Sequence, residues 1–127
     1  MLKIKKILFH IDFSESCAGA AGFVAAYAGR FQSEVTFLHT LDFGTFGSPG
    51  PPGLWAVQPT ELAGSTEWAR EALATCRTED FKHLDVKRQV TQGNPADEII
   101  SAARQSNTDL IMMPSHGLSA FRRYILG

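Results

Sequence analysis

Ile7-Leu8-Phe9-His10-Ile11-Asp12-Phe13-Ser14-Glu15-Ser16 decides how the rest of the chain is read. Ile7 to Ile11 is a short, nearly continuous apolar run, the pattern of a strand covered on both faces. It stops at Asp12, and Ser14 is placed to cap a helix whose first turn holds Glu15. From Cys17 to Phe31 the chain is rich in Ala and Gly. Phe23, Tyr27 and Phe31 recur at helical spacing, and Cys17, Ala21, Val24 and Ala28 make a second apolar line, as in a helix lying on a sheet. Gly19, Gly22 and Gly29 lower helix propensity and are expected to let that helix approach the sheet closely. Glu34-Val35-Thr36-Phe37-Leu38-His39-Thr40-Leu41 is rich in β-branched and aromatic residues and reads as the second strand. A helix long enough for a crossover joins the two strands, so they should be parallel and the connection right-handed.

Outward from this unit the pattern first breaks and then resumes. Phe43 to Pro59 holds Gly44, Gly47, Pro49, Gly50, Pro51, Pro52 and Gly53, a density that no regular element survives. It also carries Phe43, Phe46, Leu54 and Trp55, so it reads as a loop above the carboxyl end of the second strand rather than a domain boundary. Thr60 to about Arg77 is a second helix, with Leu62, Thr66, Ala69, Leu73 and Cys76 on one line. Val86 to Thr91 is a third strand whose Lys87, Arg88 and Gln89 are what an edge carries. Asn94 and Pro95 make an N-cap and first helical position, and Asp97 and Glu98 suit the first turn. This third helix should run to about Gln105 and bury Ile99, Ile100 and Ala103. Leu110-Ile111-Met112-Met113 is a fourth strand, expected to be buried on both faces and ended by Pro114. Alternating strands and helices give an α/β fold: an open, doubly wound, mostly parallel sheet in the order 3-2-1-4.

With 127 residues, 44% apolar and 20% charged, the chain is sized for one domain with a real core. A formal net charge of −1 argues against sequence-independent nucleic-acid binding. The apolar runs are too short for a membrane span, and Lys3, Lys5 and Lys6 break any secretory leader. Cys17 and Cys76 form no CxxC pair, which fits a reducing cytoplasm and two free thiols. His10, His39, His83 and His116 have no companions at metal-ligand spacing.

In open parallel sheets ligands bind outside the carboxyl ends of the strands, where strand order reverses. Three segments converge there: His10-Ile11-Asp12, Thr40-Leu41-Asp42 and Pro114-Ser115-His116-Gly117. Asp12 can accept from an amine or a ribose hydroxyl, the Thr40 backbone can touch a flat ring, and N–H groups near Gly117 can meet an anion. Neither GxGxxG nor GxxxxGK[ST] is present, and no GxSxG offers a hydrolase nucleophile.

These same segments resemble the universal stress protein family over essentially the whole chain, 1–127, as one domain. Lys6 to Ser14 resembles the family's opening strand and serine-led helix, and Phe37 to Asp42 its second strand. Gly93-Asn94-Pro95 followed by Ile99-Ile100 resembles the turn into its third helix, and Asp109 to Gly117 its fourth strand and following turn. The resemblance implies an adenine nucleotide, ATP or AMP, with Mg²⁺ as a companion. It implies Asp12 and Thr40 beside adenine and ribose and Gly117 and Gly127 along the phosphates, with Ile11, Pro114 and His116 also at the site. Gly117 and Gly127 keep the family's nine-residue spacing. Pro114 stands where the family's first glycine would be and supplies no N–H. The family's closing Ser or Thr and fifth strand lie past Gly127, so a chain truncated at its C-terminus is expected. A cytoplasmic homodimer acting in stress response is implied, with no nucleic acid and no membrane as partners. No clear base or water-positioning residue marks an enzyme, although slow ATP hydrolysis stays open. The alternative is a dimeric interaction module of the same fold that binds no nucleotide.

Overall fold

The computed structural model describes residues 3–13, 15–42, 59–76 and 79–114. Its elements are β1 (Lys6–His10), α1 (Glu15–Phe31), β2 (Glu34–Leu41), α2 (Pro59–Thr75), β3 (Val86–Gln92), α3 (Pro95–Gln105) and β4 (Leu110–Met112). The four strands form one parallel sheet in the order β3-β2-β1-β4. This is the expected order, with the charged β3 at an edge, where Lys87 reaches Glu34 at 3.0 Å. At the other side Asp109 fastens β4 to β1: its carboxylate accepts from the backbone N–H groups of Lys5 and Lys6 at 2.9 and 3.0 Å.

Strand alternation sorts the core into two layers. Ile7, Phe9, Val35 and Phe37 meet Cys17, Ala21, Val24 and Ala28 of α1 and Leu73 of α2 on one face. Leu8 and Leu38 meet Ile99 and Ala102 of α3 on the other. Helices on both faces make the sheet doubly wound and explain why β1 and β2 are apolar at successive positions.

The structure decides between the two apolar lines of α1, and three expectations need correcting. The line Cys17-Ala21-Val24-Ala28 is the buried face of α1, whereas Phe23 is 67% exposed. Phe23, Tyr27 and Phe31 contact one another along the helix flank. Gly19, Gly22 and Gly29 do not bring the helix to the sheet: a Cβ on any of them would meet nothing within 4 Å. The small residues at the close approach are the alanines. In α3 the inward residues are Ile99 and Ala102, while Ile100 is 48% exposed and Ala103 is half-buried. Finally, β4 is not covered on both faces: it lies at an edge of the described sheet, and Ile111 is 39% exposed. Ser14, the 43–58 segment and the residues after Pro114 lie outside the described residues.

The turn into α3 follows the sequence reading. Asn94 caps the helix, its side-chain oxygen accepting from the Asp97 N–H at 3.2 Å, with Pro95 opening the first turn. Gly93 precedes it with φ +140° and donates to the Leu41 carbonyl at 3.0 Å. A Cβ there would sit 2.7 Å from Glu98 Oε1. That carboxylate can swing away, but the backbone cannot, since φ in this range is open essentially to glycine alone. Gly93→Ala is therefore expected to lower stability by about 1–3 kcal/mol, read as a shift in the urea midpoint; an unchanged midpoint would show that the turn relaxes.

Candidate functional site

The chain leaves β1 toward β2 and β3 on one side, and β4 lies on the other. That reversal opens a crevice at the carboxyl ends of the strands. Phe9 is paired with Met112, the last residue of β4, and Ile11 and Pro114 each follow two residues later in the chain. Ile11 donates its N–H to the Leu38 carbonyl at 2.8 Å. Backbone groups of alternate residues in a parallel strand turn to the same side. Thr40, two residues after Leu38, thus directs its N–H and C=O to the side of β1, just past the point where β1 has ended. Its side chain is occupied elsewhere, with Oγ1 3.1 Å from Thr91 Oγ1. The Thr40 backbone is thus the part that faces the β1 side.

The turn from β1 to α1 is gripped from several sides. Ile11 is fully buried and its side chain belongs to the core. Its carbonyl accepts from His39 Nδ1 at 2.6 Å. Asp12 is half-buried. Phe13 has φ +60°, the left-handed region, and its ring lies 4.6 Å from the His39 ring and 5.5 Å, edge-on, from that of Trp68. Cys17 reaches back to this turn: burial pushes its thiol pKa up, while hydrogen bonds from the Asp12 and Phe13 backbone oppose the shift. His10 closes β1 with a buried Nε2 that has no hydrogen-bond partner among the described residues. Burial holds its pKa at about 4, with nearby His39 lowering it further and Asp12 opposing.

The structure thus brings together Ile11, Asp12, Thr40 and Pro114 at one end of the sheet. Ile11 and Pro114 are fully buried, and both backbone polar groups of Ile11 are engaged by β2. His116, Gly117 and Gly127 lie outside the described residues. The sequence reading missed the supports, His39, Phe13, Cys17 and Trp68. Alternation from Val35 and Phe37 puts His39 on the α1 and α2 side of the sheet, but nothing local marks Phe13 as left-handed. Among the described residues no group of three His, Cys, Asp or Glu side chains is arranged to hold a metal ion, and no helix is long and apolar enough to cross a membrane.

A sequence profile of the universal stress protein family matches residues 3–127. The universal stress protein MJ0531 of Methanocaldococcus jannaschii is 28% identical over 125 residues, covering 97% of this chain and 71% of the relative. Among solved structures, a protein of the universal stress protein family from Burkholderia pseudomallei superposes with a TM-score of 0.71 at 20% identity, over 93% of this chain and 86% of the other. A universal stress protein solved in complex with cAMP superposes with a TM-score of 0.63 at 18% identity, over 99% of this chain and 84% of the other.

Proposed function

Because the chain belongs to the universal stress protein family, we propose that it is a small cytoplasmic stress-response protein that binds an adenine nucleotide, ATP or AMP, at the carboxyl ends of its strands. The observation that carries this reading is the convergence of Asp12, the Thr40 backbone and Pro114 at the switch point between β1 and β4. A flat base fits against backbone donors and acceptors that a strand end leaves without a neighbour, and the Asp12 carboxylate suits ribose hydroxyls or an amine. A protein of the same fold has been solved with cAMP, which supports a nucleotide of this kind. Gly117 and Gly127 would meet the phosphates by the family resemblance, with His116 in the turn beside the ligand and Mg²⁺ accompanying ATP. The reading includes a single domain and a homodimer, for which the partly exposed Ile111 of β4 offers apolar surface.

Pro114 favours the second reading, a dimeric module without nucleotide, because it removes one backbone donor from the fourth strand's turn. Calorimetry separates the two. ATP is expected to release or absorb measurable heat, and Asp12→Ala to weaken binding by about 1–3 kcal/mol if its partner is left buried and unpaired. Gly117→Val should weaken it further by placing a side chain where the backbone must come close. No heat at millimolar ATP, or unaltered binding by Gly117→Val, would favour the module.

A further inference from the structure

The geometry points to His39 as the positioning residue of the candidate nucleotide site: its Nδ1–H holds the Ile11 carbonyl, so that the adjoining Asp12 is presented in one fixed orientation, while Phe13 beyond it packs on both the His39 and Trp68 rings. The inference rests on the nucleotide reading for its functional meaning, but its structural half stands apart from it.

A carbonyl oxygen only accepts, so at 2.6 Å the hydrogen belongs to Nδ1. His39 is therefore the Nδ1–H tautomer in its neutral form, with Nε2 as an acceptor. Ile11 donates its own N–H to Leu38, the residue before His39. Two consecutive residues of β2 thus grasp both polar groups of Ile11, one through its backbone and one through its side chain. On the far side of Asp12, Phe13 adopts φ +60°, uncommon for a bulky side chain. The His39 ring at 4.6 Å and the Trp68 ring at 5.5 Å hold it there. His39 also directly precedes Thr40 in the chain. One side chain therefore ties the two binding segments, Ile11–Asp12 and Thr40, into a single rigid unit. Such support matters because a contact displaced by about 1 Å loses much of its hydrogen-bond energy.

Two variants divide the functions of the ring. His39→Asn keeps a donor near the place of Nδ1 and loses the ring; His39→Phe keeps the ring on Phe13 and loses the donor. ATP affinity is expected to fall about tenfold in His39→Phe and by no more than about twofold in His39→Asn, a rescue that a purely space-filling role would not give. Equal loss in both variants, or none in His39→Phe, overturns the proposal. If the parent protein binds no ATP, the nucleotide reading has failed on its own, and amide exchange in the free protein still decides the positioning role. Exchange at Asp12 and Phe13 should then quicken about tenfold in His39→Phe and remain near the parent rate in His39→Asn; unchanged exchange in His39→Phe refutes it. Should either variant fail to fold, the ring ¹⁵N shifts of the parent serve: hydrogen on Nδ1 upholds the assignment, and hydrogen on Nε2 overturns it.

Discussion

Phe37→Ala should lower the stability of the protein by about 3–5 kcal/mol, a large part of the roughly 5–15 kcal/mol that holds a domain of this size together. Phe37 lies in β2 with no solvent exposure, on the face that receives α1 and α2. Its ring meets Phe9 at 5.9 Å and Phe81 at 4.8 Å, both edge-on, geometries that add to simple burial. The Arg88 guanidinium lies 5.3 Å from the ring centre while its Nε donates to the Leu73 carbonyl at 2.9 Å. One ring therefore joins β1, the segment before β3, and the α2–β3 contact. Truncation removes all of these at once and opens a cavity between rigid neighbours that cannot close. Chemical denaturation followed by circular dichroism measures the effect. Phe37→Leu, which keeps most of the volume, should lose clearly less. A loss below about 1 kcal/mol for the alanine variant would mean that the three rings are not the centre of the core.

That core was open to reading because burial on both faces leaves an unbroken apolar run. β1 and β2 were bounded to within a residue, and Lys87, Arg88 and Gln89 placed β3 at an edge. The N-cap at Asn94 was equally legible, since its chemistry is local. Tertiary placement was not. Periodicity along α1 gives two apolar lines, Phe23-Tyr27-Phe31 and Cys17-Ala21-Val24-Ala28, but does not say which one meets the sheet; the smaller residues do, because the contact is close. For the same reason the helix glycines were misplaced: they look like residues for close approach and face outward. Ile111 was taken for a buried residue because a hydrophobic strand reads alike at the centre and at an edge. At the site, the contact segments follow from the topology rule for parallel sheets, whereas their supports come from positions far apart in sequence. His39 and Ile11 are separated by 28 residues and Trp68 stands beyond a long interruption. No local pattern encodes such contacts.

The largest dependence on solution conditions should come from His10. Its ring closes β1 on the α3 side of the sheet, its Nε2 is buried without a hydrogen-bond partner among the described residues, and burial lowers its pKa from 6.5 to about 4. His39 nearby disfavours a second positive charge, and the Asp12 carboxylate only partly offsets this. The sign follows from linkage: a base whose folded pKa lies below its unfolded value binds protons more readily when unfolded. Above pH 6.5 the ring is neutral in both states and its linkage to stability vanishes; stability is lost as the pH falls from there toward 4. The shift corresponds to a loss of about 2 kcal/mol by pH 5 and about 3 kcal/mol by pH 4, each pKa unit being worth about 1.4 kcal/mol. The interval from pH 7 to 5 is the cleaner one, because most carboxylates remain ionised throughout it. Unfolding free energies of the parent should therefore decline across that interval, while His10→Leu, which has nothing to protonate at this position, should give a nearly level profile. The variant should also be no less stable than the parent at pH 7 by more than about 1 kcal/mol, since it replaces an unpaired polar atom by apolar surface. Parallel slopes in the two proteins would assign the acid sensitivity to other groups. The consequence reaches the candidate site directly: charging His10 would strain the strand end that carries Ile11 and Asp12, so acid should loosen the β1–α1 turn before it unfolds the sheet.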